Sequence, residues 1–154
     1  MYNKTHPVKT EIFPDQDFKG GGGVPGAIDQ TIIETDFGKV GMQICYDANW
    51  ADGWENLKKK GADIVLFPSA FPGGRMLNYY ALRNSYYIIS STGGDARVID
   101  TSGNDLEATT EFVRCVWATI NLEKVNVSTW PTNQLLPKMF KMYGYRLGFK
   151  VWSS

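Results

Sequence analysis

Residues 38–47 read Gly38-Lys39-Val40-Gly41-Met42-Gln43-Ile44-Cys45-Tyr46-Asp47, and the fold turns on them. Val40, Met42 and Ile44 alternate with Lys39, Gly41 and Gln43, the period-2 pattern of a strand with one buried face. The apolar set is the face expected to be buried. Cys45 stands where the strand runs into a turn, ahead of a polar link, Ala48-Asn49-Trp50-Ala51. A thiol there can be held out at the sheet edge beside free backbone N–H groups, as nucleophiles are on other folds. Free cysteines are also among the most buried residue types, and a lone one after an apolar strand is packing more often than chemistry. The stretch alone leaves both readings open.

Working outward, Gln30 to Glu34 reads as a strand, Asp36-Phe37-Gly38 as a turn, and Lys39 to Cys45 as the returning arm of a hairpin. Asp52 resembles a helix N-cap, with Glu55 three residues on completing a capping box. Trp54 and Leu57 share a face of that helix, and Gly61 closes it. Ile64 to Phe67 is a continuous apolar run, which suits a strand covered on both faces. Pro68 to Gly74 is a loop at the same end of the sheet as Cys45. Trp50 and Phe71 are therefore candidates to line a substrate pocket, and equally candidates for ordinary core aromatics.

Met76, Leu77, Tyr80, Ala81 and Asn84 recur at helical spacing over residues 75–85. Tyr86 to Ser90 and Ala96 to Ile99 are strands, and residues 100–104 form a turn with Gly103 at its positive-φ position. Glu111 to Leu122 reads as a long strand containing Cys115, which no chemically suited residue surrounds and which is expected in the core. The Phe13 to Gly26 stretch is a loop. Its Gly20 to Gly23 run lacks the Gly-Lys-Ser/Thr that a phosphate loop needs. Residues 126–154 form an aromatic, basic tail after a domain at 1–125, with Met139 to Lys150 able to form a helix that packs on a neighbour.

At 154 residues and 43% hydrophobic the chain is about one domain long. Sixteen basic residues balance sixteen acidic ones, so no nucleic acid or anionic membrane is indicated as a partner. Lys58-Lys59-Lys60 suits the negative end of a helix. No apolar run approaches the roughly 20 residues of a membrane span, and the N-terminus lacks a signal peptide's apolar core. Two cysteines without a secretory signal point to reduced thiols and a cytoplasmic setting. One histidine, His6, and no Cys-x-x-Cys argue against a protein metal site, and no cofactor is indicated.

Four segments in order make a more specific statement: Tyr2-Asn3-Lys4-Thr5-His6, Ile44-Cys45-Tyr46-Asp47, Gly61-Ala62-Asp63 leading to Pro68-Ser69, and Asn84-Ser85-Tyr86-Tyr87. Together they resemble the carbon–nitrogen hydrolase (nitrilase) superfamily over nearly the whole chain, and residues 97–124 resemble its next hairpin. The resemblance implies an α/β fold, part of a four-layer α-β-β-α sandwich with two mixed β-sheets. It implies Cys45 as nucleophile, with Lys4 and the Tyr46 N–H stabilising an oxyanion. Glu11 stands near where some members orient the lysine with a second glutamate, and the alternative is a solvated charge. Asn3 replaces the commoner arginine, and Arg83 stands where many relatives carry glutamate.

The expected activity is hydrolysis of non-peptide C–N bonds in a small amide or carbamoyl substrate through a cysteine thioester. True nitrilases commonly follow the cysteine with Trp-Glu, whereas Tyr46-Asp47 favours amides. The resemblance also implies a homodimer or higher homo-oligomer. It places the general-base glutamate well before the lysine segment, and Glu34, Glu55, Glu107 and Glu111 do not stand in its motif. The chain is thus expected to be the C-terminal portion of a longer hydrolase, inactive alone. The alternatives are a true nitrilase and a naturally short, non-catalytic binding or oligomerisation module.

Overall fold

The computed structural model describes residues 3–12, 26, 29–124, 126 and 134–144. Six strands form one mixed sheet whose spatial order follows the chain. Strands β1 (Ile33–Thr35) and β2 (Gly38–Met42) pair antiparallel through the expected turn. β3 (Ile64–Ser69) and β4 (Tyr87–Thr92) follow in parallel, then β5 (Arg97–Ile99) and β6 (Asp105–Ala108) antiparallel. The parallel crossovers run through α2 (Ala51–Lys59) and α3 (Gly74–Asn84). A four-residue turn of helix, α1 (Lys9–Ile12), lies upstream.

The strand period is as read, but the covered face is the other one. Register aligns Gly41 with Val65, Val65 with Ile88, and Ile88 with Ile99. This row meets Trp54 and Leu57 of α2 and Leu77 and Ala81 of α3 in the main core. Gly41 and Gln43 are accordingly buried, while Val40, Met42 and Ile44 are half-buried on the opposite face. Helix proximity explains the inversion. A Cβ on Gly41 would stand 2.7 Å from Leu57 Cδ2, so glycine at this position lets the helix side chain pack down onto the strand.

Helix α2 starts two residues earlier than its capping signature suggests. Trp50 is the N-cap and makes no side-chain cap, because the chain enters α2 directly from a 3₁₀ turn (Cys45–Asn49). Asp52 accepts the Gly53 N–H inside the first turn, and Glu55 pairs instead with Arg83 of α3 at 2.9 Å. Gly61 ends α2 as expected. Its N–H reaches Lys58 O and that of Ala62 reaches Leu57 O, a Schellman closure with Gly61 at φ 81°.

Residues 111–122 do not form a ladder strand among the described residues. Their burial still alternates, with Val116, Ala118, Ile120 and Leu122 more covered than their neighbours, so the chain is extended without a paired partner. Its end is tied across the sheet face opposite the helices: Tyr87 Oη donates to Asn121 O at 2.9 Å, and Lys124 Nζ bonds Asp100 Oδ2 at 2.8 Å. Cys115, expected in the core, is exposed, because the segment carrying it has no second layer over it here. Both cysteines are free thiols.

The chain divides into two compact units, 1–124 and 125–154. The second contains α4 (Leu136–Tyr143), which starts before the expected Met139 with Pro137 in its first turn. Leu135, Phe140, Met142 and Tyr143 are exposed, while Tyr145, Phe149 and Trp152 lie outside the described residues. No described helix is long and apolar enough to cross a membrane.

Candidate active site

Cys45 does not end β2; it opens the 3₁₀ turn that follows. Its φ of 49° places it in the left-handed region, which costs a non-glycine residue roughly 1–2 kcal/mol. Strain of this kind persists only where the surroundings over-determine it. The surrounding constraint is Asp47, which is 1% exposed. Its Oδ2 accepts the Ile44 N–H at 3.2 Å, so the third residue of the turn reaches back to cap its start. Its Oδ1 accepts the His6 N–H at 2.6 Å, from a segment 41 residues earlier.

One carboxylate therefore joins the two chemistry-bearing segments, Lys4–His6 and Cys45–Asp47. The His6 ring adds a second contact: it lies flat on Trp50 with centroids 4.1 Å apart and planes 7° apart. His6 Nδ1 is 3.5 Å from Asp47 Oδ1, and Nε2 is 3.9 Å from Asp52 Oδ2. Tyr46 meets the edge of Trp50 at 5.0 Å. The Tyr46 N–H belongs to the opening of the turn, where donors have no acceptor within the turn itself.

The same capping device recurs at Lys4. Glu11 is the third residue of α1, and its Oε2 accepts the Val8 N–H at 2.8 Å. Both its oxygens also take hydrogen bonds from Lys4 Nζ, at 3.0 and 2.8 Å. The Lys4 hydrogen bond holds the Glu11 carboxyl below its ordinary range, against a smaller opposing effect of burial. Glu11 is thus an ion-pair partner of Lys4, with its side chain still 45% exposed. Among the other described glutamates, Glu34 pairs with Lys39 and Glu55 with Arg83. Glu107 and Glu111 are exposed.

Phe71 stands apart from this cluster. It is 73% exposed and makes no ring contact with His6, Tyr46 or Trp50, being held at its backbone by Ser69 Oγ. An open groove of about 460 Å³ lies elsewhere, between β6 and the extended segment, lined by Leu106, Val113, Cys115 and Trp117 among others. None of its walls belongs to the cysteine or lysine segments. No group of three potential metal ligands occurs among the described residues. Sequence reading missed the joining role of Asp47 and the stacked His6. The available signal was an acid two residues after the cysteine, where it can reach back to cap the turn.

A six-stranded mixed sheet with helical crossovers makes this an α/β protein, in which a cysteine on a left-handed turn is joined through Asp47 to the segment that carries an ion-paired lysine. The family model for carbon-nitrogen hydrolases matches residues 1–127, and the chain belongs to that family. It is 38% identical over 72 residues to the deaminated glutathione amidase of Bos taurus, covering 46% of this chain and 22% of that one. It is 27% identical over 149 residues to the nitrilase and fragile histidine triad fusion protein NitFhit of Caenorhabditis elegans, covering 81% and 33%. The chain thus spans a third or less of the length of these curated relatives.

Among solved structures, Nit3 of Saccharomyces cerevisiae, a nitrilase-superfamily member, aligns with a TM-score of 0.51 at 25% identity, over 57% of this chain and 39% of that one. An amidase from Nesterenkonia sp. aligns with a TM-score of 0.55 at 19% identity, over 70% and 44%, a likeness of fold.

Proposed function

We propose that the chain carries the nucleophile-bearing part of a thiol hydrolase of small amides or carbamoyl amides. The observation that supports this reading is the Asp47 bridge, one carboxylate holding the His6 N–H of the lysine segment and the Ile44 N–H at the Cys45 turn. In this mechanism the Cys45 sulfur adds to the amide carbon and the C=O electron pair moves onto oxygen. Lys4 and the Tyr46 N–H stabilise that oxyanion, and such donors are worth about 3 kcal/mol each. The carbonyl re-forms, the C–N bond breaks, and the amine leaves with one added proton. Water then attacks the thioester, releasing the acid and restoring the thiol. Glu11 is a positioning residue for Lys4.

The mechanism also needs a glutamate as proton shuttle in both steps, and no glutamate of this chain is assigned that part, so on this reading the isolated chain is inactive. In the complete enzyme a second sheet packs over the half-buried Met42, Leu66 and Ile89, giving the four-layer sandwich, and two copies associate as a homodimer. Ammonia release is the test, on a panel of small amides, carbamoyl compounds, nitriles and deaminated glutathione. The chain should be assayed alone and as the whole open reading frame. Turnover of amides that needs the longer frame and disappears in Cys45→Ala supports the reading. Preferential turnover of nitriles overturns the substrate class. The second reading is a non-catalytic module, favoured by the unassigned base; an open reading frame that starts at codon 1 supports it.

A further inference from the structure

The proposed chemistry needs the ammonium of Lys4 at the thiol of Cys45, yet the two stand on different elements. Lys4 precedes α1, and Cys45 opens the turn after β2. A buried carboxylate hydrogen-bonded to both segments registers one against the other, beside the stacking of His6 on Trp50. Asp47 is 1% exposed, and its two oxygens divide the work: Oδ2 holds the Ile44 N–H on the cysteine side and Oδ1 the His6 N–H on the lysine side. The His6 imidazole lies 3.5 Å from it, with Asp52 beyond the ring. The acid thus holds two backbone donors, one on each segment, which fixes their positions. Hydrogen bonds to a charged acceptor are the stronger and shorter class, which suits a clamp of this kind.

We propose that Asp47 is a positioning residue that sets Lys4 against Cys45 by clamping the His6 backbone to the cysteine turn. This rests on the reading of Cys45 and Lys4 given under Proposed function. The clamp makes a prediction of opposite sign to the simple charge effect of Asp47. Removing a nearby negative charge makes a site more attractive to anions, whereas losing the clamp moves the Lys4 cation away and makes it less attractive.

Two alkylating reagents of similar size separate these effects: anionic iodoacetate and neutral iodoacetamide. Their rate-constant ratio at Cys45, measured on the full chain in a Cys115→Ser background at low salt, reports positive charge at the thiol. Lys4→Ala should lower the ratio several-fold. Asp47→Asn should lower it to a similar value, and the double variant should show no further fall, the non-additivity of groups acting through one another. His6→Pro, which deletes the donated N–H, should act likewise, and His6→Ala, which keeps it, should not. That pair decides the matter even where Asp47→Asn fails to fold. A ratio that rises or stays fixed in folded Asp47→Asn, while Lys4→Ala lowers it, overturns the clamp. Equal falls in His6→Pro and His6→Ala do the same. A ratio unmoved by Lys4→Ala overturns the site reading itself.

Discussion

Arg97 donates from Nη1 to Asn78 Oδ1 at 2.9 Å, joining the inner face of α3 to β5 inside the protein. The same guanidinium reaches Gly74 O at 2.7 Å and Asp105 Oδ1 at 3.4 Å. Its Nε lies 3.1 Å from Asp95 Oδ1 without the alignment of a hydrogen bond. Removing one partner of a buried ion pair costs about 3–5 kcal/mol. Both carboxylates keep contact with water, so Arg97→Met should destabilise by about 2–3 kcal/mol, at or below the bottom of that range. Urea unfolding read as a midpoint shift checks this.

The left-handed backbone at Cys45 gives a stability prediction independent of chemistry. Cys45→Ala and Cys45→Gly both delete the thiol, but only glycine adopts φ 49° freely. Cys45→Gly should therefore be the more stable of the two by about 1 kcal/mol. Equal thermal midpoints for the two variants would show that the turn relaxes out of the left-handed region.

Acid should weaken the anchor between Asp100 and Lys124. Burial pushes the Asp100 carboxyl up, but the hydrogen bond from Lys124 and the N–H groups of Asn104 and Ser102 outweigh it and hold it below the usual range. A depressed carboxylate contributes stability that is full above its unfolded pKa, about 3.9, and lost as pH falls through the folded value. Asp100→Asn should thus be less stable than the parent at pH 6, and the difference should close below about pH 3. Chemical denaturation at both pH values measures it. A constant difference across the range would sink the assignment.

Amide exchange should divide the sheet from the extended segment. Amides 114–120 have no acceptor among the described residues, whereas β3 lies between two parallel neighbours. Residues 114–120 should exchange at close to unprotected rates, and Val65 and Ile88 should be among the slowest. Protection at 114–120 in the isolated chain would mean that the segment has found a strand partner.

Much of the fold was legible because its signals are local. The period of residues 38–44, the glycine stop at Gly61 and the turn glycine Gly103 each depend on a few neighbouring residues. The face of β2 was not legible: Gly41 and Gln43 look outward by hydropathy, and only the approach of Leu57 from α2 turns them inward. Asp52 and Glu55 spelled a capping box, but the preceding 3₁₀ turn moved the helix start and left Glu55 to Arg83. For the 111–122 segment, alternation predicted extension correctly, while a ladder also needs a partner that no sequence period supplies. At the site, the family motifs pointed to Cys45, Lys4 and Glu11. That Asp47 joins them is a contact across 41 residues, which local patterning does not encode.

Sheet order that repeats chain order has a kinetic consequence. Each strand of the sheet pairs with the strand before it, so no pairing waits for a distant part of the chain. Loop-closure entropy grows with the length of chain spanned, and folding slows as contacts become more distant in sequence. The β3–β4 pair, the longest ladder, with α3 between its strands, needs only residues 64–92 to form. Assembly can therefore proceed from that centre in both directions, and during synthesis each strand can dock soon after it leaves the ribosome. The contact between His6 and Asp47 is the exception: it must wait for the turn at Cys45, so the site is completed after the sheet that carries it has begun to form.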